Sequence, residues 1–67
     1  MADKQVVAAM AAQAWSHRDN AARARKLALG LYDQNAEDGL AKYAADQEMR
    51  AAQLDAEIAA LNTATEA

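Results

Sequence analysis

No proline interrupts this chain, and only five of its residues are β-branched: Val6, Val7, Ile58, Thr63 and Thr65. Strands draw on that residue type to fill a pleated surface, so a sheet has almost nothing to be built from. Alanine, the strongest helix former, occupies 21 of the 67 positions, and Gln, Glu, Lys, Arg, Leu and Met supply much of the remainder. The fold class that follows is all-α, in a single domain.

Small and apolar residues recur at alternating three- and four-residue spacing along both halves of the chain. The first seam reads Val7, Met10, Ala14, His17, Ala21, Ala24, Ala28 and Leu31. The second reads Leu40, Ala44, Gln47, Ala51, Leu54, Ile58 and Leu61. That period winds helices around one another with knobs seated in holes. Alanines at 14, 21 and 28, and again at 44 and 51, let two backbones come close together. The chain therefore predicts an antiparallel two-helix hairpin with an Ala-rich, coiled-coil-like seam.

Its expected parts are a first helix over about 3–30, a turn over about 31–35, a second helix over about 36–61 and a frayed tail at 62–67. Asp3 is the expected first N-cap. Gly30 stands where a left-handed residue would close the first helix, and Asn35 where a second N-cap would open the next. Gly39 weakens the start of that helix. One continuous helix that tolerates both glycines is the competing arrangement.

Fourteen large apolar side chains between Val6 and Leu61 make a small core for a chain without cysteine. Oligomerisation is the usual remedy at this size. Two stripes also stay uncovered in a lone hairpin: Ala11, Trp15, Ala22 and Leu29 on the first helix, and Met49 with Ala45, Ala52 and Ala56 on the second. Two hairpins packed into a four-helix bundle would cover them, which makes Trp15, Leu29 and Met49 the candidate apolar interface of a homodimer.

Charge divides by halves. Residues 1–32 carry five cations against two anions, or +3, and residues 33–67 carry two cations against eight anions, or −6. Such asymmetry speaks to partners rather than to fold. Asp33, Glu37, Asp46, Asp55 and Glu57 could present spaced negative charge to a basic groove on a protein. Alternatively, Arg18, Arg23, Arg25 and Lys26 could straddle the phosphates of RNA or DNA. These four fan over more than a third of the helix circumference, and cations near a helix C-terminus also complement its dipole.

Chemistry-bearing constellations are missing from the sequence. Ser16, His17 and Asp19 suggest a triad, but adjacent positions on a helix point about 100° apart and cannot act as nucleophile and base. His17 is the only histidine and no cysteine exists, so a metal set has no nucleus. No glycine-rich phosphate loop occurs either. The expectation is a protein without cofactor, metal or catalysis.

The charge-free run between Lys4 and Arg18 is too short and Ala-rich to span a bilayer. Ala12-Gln13-Ala14 looks like a leader cleavage site, but it lacks a basic n-region and a long apolar stretch, so a cytoplasmic setting is expected. The functional expectation is a small protein-binding regulator, adaptor or inhibitor of bacterial or phage style, self-associating and using its acidic second helix. An RNA- or DNA-binding dimer and a purely structural assembly subunit are the alternatives.

Overall fold

The computed structural model describes residues 3–66, with side chains described as far as Ala64. Helix α1 runs over Lys4–Ala28 and helix α2 over Gln34–Glu66, and the two pack against each other. The hairpin, rather than one continuous helix, is the arrangement the chain adopts.

Both helices open with the same device. Asp3 sits in extended backbone and its carboxylate accepts from the Gln5 N–H at 2.8 Å, while its carbonyl accepts from Val7 N–H at 3.0 Å. Asp33 repeats this with Asn35 N–H at 2.9 Å and Glu37 N–H at 3.0 Å. Each aspartate satisfies donors that a helix start leaves orphaned, and its charge faces the positive end of the dipole. Asp33, not Asn35, is thus the second cap: the turn falls two residues earlier than the sequence pattern suggests, because α1 ends at Ala28 and Gln34 is already helical.

The close of α1 also differs from expectation. Among the described residues none has positive φ, so Gly30 is not a left-handed terminator. Instead the last turn tightens: Gly30 N–H donates to the Leu27 carbonyl at 3.1 Å and Leu31 N–H to Ala28 at 3.2 Å. Bonds of this i→i−3 kind satisfy end carbonyls without a special conformation. At the other end α2 continues past Leu61 to Glu66, since Asn62, Thr63 and Ala64 carry no stop signal. Ala67, the last residue of the expected frayed tail, lies outside the described residues.

The interior is made of alanine. Ala14, Ala21, Ala24, Ala44 and Ala51 are buried, Gln47 is buried among them, and no large side chain is fully enclosed. Val7, Met10, His17, Ala28, Leu40, Leu54 and Ile58 are half-buried along the same line. Leu31 and Leu61, at the ends of the seam, stay more than a third exposed. The three-and-four spacing therefore marks the inward faces of both helices. Ala21, Ala24 and Ala44 form the tightest group, with Leu40 packed against it.

Gly39 lies within α2, and a Cβ added there would meet nothing within 4 Å. Gly39→Ala is expected to stabilise the chain by about 1 kcal/mol through helix propensity alone. For a chain of this size that is a rise of roughly 4–8 °C in thermal midpoint. An unchanged midpoint in circular dichroism would mean that the first turns of α2 are not helical in solution.

Candidate interaction surface

The basic segment of α1 and the acidic α2 meet through side chains. The Arg18 guanidinium donates to the Asp55 carboxylate. Arg25 grips Glu48 with both arms, Nε to Oε2 at 3.1 Å and Nη2 to Oε1 at 2.6 Å. The two cations are seven residues apart and so are their two partners, which is the register of an antiparallel coiled coil. The hydrogen bond to Glu48, and then its charge, raises the pKa of Arg25 further above its ordinary value. The same hydrogen bond from Arg25 holds the Glu48 carboxyl below the usual carboxylate range.

A depressed carboxylate contributes stability that is present above its unfolded pKa and lost as pH falls through the folded one. Acidification through the carboxylate range, from the ordinary value of 4.5 downward, is therefore expected to weaken the hairpin. Glu48→Gln should flatten part of that dependence in denaturant titrations at pH 7 and pH 3. An identical acid loss in both proteins would show that this pair contributes nothing.

The remaining candidates fall elsewhere. Arg23 pairs with Asp19 on its own helix at 2.9 Å, and Arg50 with Asp46 at 2.8 Å. The latter bond raises the pKa of Arg50. Asp38 accepts from Gln34 at 2.9 Å. Lys26 has no carboxylate partner among the described residues, while Arg18, Arg23 and Arg25 each hold one.

Of the five acidic candidates, Asp33 is a cap, Asp46 and Asp55 hold arginines, Glu37 is half-buried and Glu57 is exposed. Helical spacing places Glu37 and Asp55 on one flank of the seam and Asp46 and Glu57 on the other, so they form two rows and not one face. Glu48 was absent from the sequence-level candidates. Its signal was there, since it lies seven residues from Asp55 just as Arg25 lies seven from Arg18.

In the seam, His17 Nδ1–H donates to Gln47 Oε1 at 2.7 Å, and Asn20 Nδ2 donates to the same oxygen at 3.3 Å. Because the amide oxygen only accepts, Nδ1 carries the proton. His17 is thereby turned into the seam, away from Ser16 and Asp19. Among the described residues no group of three or more metal-ligating side chains gathers, and no helix is long and apolar enough to cross a membrane.

The large apolar side chains lie outside. Trp15 is 65% exposed, Leu29 88% and Met49 60%, and Tyr32 is fully exposed. Arg18, Arg25, Glu48 and Asp55 line a shallow hollow together with Ala22 and Ala52. Leu29 and Ala41 border the next hollow along, beside Arg25. Trp15 and Leu29 lie seven residues either side of Ala22, so all three share this broad side of the hairpin. Met49 is directed to the outer back of α2.

Comparison with protein-family models, with curated proteins and with solved structures returns no match to this chain.

Proposed function

We propose that this chain is a non-enzymatic helical hairpin that acts by binding protein, as a regulator, adaptor or inhibitor of a larger assembly, and that it self-associates into a four-helix bundle. One observation carries this reading: alanines occupy the interior, while Trp15, Leu29, Tyr32 and Met49 stand in solvent. A chain this short has few large apolar residues, and leaving them outside costs the lone hairpin stability that a protein contact would recover. Tryptophan is moreover a residue enriched where interfaces hold tightest. The −6 of the second half supplies the long-range part, steering a basic partner before the apolar anchors engage. Three of the four candidate phosphate contacts already hold carboxylates, so the nucleic-acid alternative has less support.

The test is capture of a defined partner on the immobilised chain, repeated with two variants. Trp15→Lys with Leu29→Lys should abolish capture while helix content is unchanged. Asp46→Lys with Glu57→Lys should slow association several-fold at low salt and little at moderate salt, because screening acts over about 8–10 Å. Retention of nucleic acid that weakens steeply with salt, and is lost on replacing Arg23 and Arg25 by glutamate, would overturn the proposal.

A further inference from the structure

The broad side of the hairpin that carries Trp15 and Leu29 is complementary to itself in only one of its two face-to-face arrangements. We infer that a second copy of the chain docks there about a two-fold axis parallel to the helices, so that α1 of each copy covers α2 of the other. This inference rests on the self-association proposed above and specifies its geometry.

Three observations support it. The first is charge. On this side α1 presents Arg18 and Arg25, whose charged ends meet those of Asp55 and Glu48 from α2. Rotation about an axis parallel to the helices sets each arginine row over the partner's acidic row. The two ion pairs then become two squares of alternating sign. Rotation about an axis across the helices would set arginine over arginine and carboxylate over carboxylate. Juxtaposed like charges suppress that second arrangement.

The second observation is bulk. Ala22 and Ala52 both line the hollow between the two ion pairs. The seam, which sets Ala21 against Ala44 and His17 against Gln47, brings Trp15 near the level of Ala52 and Ala22 near that of Ala45. All four are exposed. Under the parallel axis Trp15 lies over the partner's Ala52, large against small, and Ala22 lies over the partner's Ala45. Under a crossed axis through Ala22, Trp15 would meet the partner's Leu29, large against large. Interdigitation of large with small is what a close-packed interface requires.

The third is area. The hairpin's outline of 52 by 16 Å gives a flat side of roughly 800 Å² per copy, the size at which specific interfaces become stable. The half-exposed ion pairs lose water on docking, and that cost makes them a device for register more than a source of affinity.

Because the chain contains no cysteine, single-cysteine variants report this geometry directly. Ala22→Cys and Ala45→Cys chains, mixed and mildly oxidised, should form the mixed 22–45 disulfide dimer, and neither variant alone should cross-link. Trp15→Lys should weaken the dimer at least tenfold by sedimentation equilibrium with helix content retained. Disulfides between two Ala22→Cys chains would establish the crossed axis and overturn the inference while leaving a protein-binding hairpin. A chain that sediments as a monomer at every concentration overturns it too, and the proposed function then stands or falls on partner capture. A dimer that resists cross-linking at both positions places the interface elsewhere and also refutes it.

Discussion

Replacing Ala44 by leucine is expected to open the hairpin. Ala44 is 0% exposed and lies in the tightest group of the seam, with Ala21 and Ala24. Its methyl group already fills the space between two backbones, so three further carbon atoms can be housed only by forcing the helices apart. Overpacking of this kind costs about 1–3 kcal/mol, and sometimes more. A short chain has little stability in reserve to absorb that loss. The expected result is a melting transition that is much lower or no longer cooperative, with helix content falling at 25 °C. Ala56→Leu, on the exposed back of α2, is the control and should leave the transition in place. Equal midpoints for the two variants would show that the helices are not in contact at Ala44.

The second large effect is expected at the polar layer of the seam. Gln47 is buried, and its carbonyl oxygen accepts from His17 and Asn20. Gln47→Leu removes the acceptor and leaves the half-buried Nδ1–H of His17 without a partner. Stranding a donor in this way costs about 1–3 kcal/mol. Replacing both partners removes the stranded group as well, so His17→Leu with Gln47→Leu should recover most of the loss. A polar pair in an otherwise apolar seam also penalises slipped alignments. The double variant is therefore expected to be the less uniform molecule, populating additional oligomers in sedimentation. Equal destabilisation by the single and double changes would mean that the pair is solvated and carries no coupling.

Much of the fold can be read from residue spacing alone. The three-and-four period picked out the inward faces because the requirement it encodes, small groups between two backbones, is local to each helix. The ends were less legible. Asp33 and Asn35 are both good caps, and choosing between them depends on where the chain leaves α1. Gly30 permits a left-handed turn without compelling one, and a tighter last turn supplied the same hydrogen bonds. Past Leu61 no residue stops a helix, so propensity carries α2 on to Glu66.

The candidate surfaces were legible as composition but not as arrangement. Charge counts separated a basic half from an acidic one. Which carboxylate meets which guanidinium depends on the alignment of one helix against the other. In the alignment set by the His17–Gln47 layer, Arg18 and Arg25 reach along the seam to Asp55 and Glu48, which lie beyond the residues level with them. Charges counted as free were thus partly spent inside the molecule.

An interior of methyl groups has a consequence for how such a chain can change. The parts that hold the hairpin together and the parts available for contact are different residues. Alanines at 14, 21, 24, 44 and 51 are committed to the seam, whereas Trp15, Leu29, Tyr32 and Met49 contribute little to it. Substitution at those outer positions can retune what the molecule touches without disturbing how it folds. Exchange at the inner ones is nearly forbidden in either direction, since a larger side chain wedges the helices apart and glycine loosens them. The hairpin thus behaves as a rigid handle with an exchangeable grip, on which recognition can drift while architecture stays put.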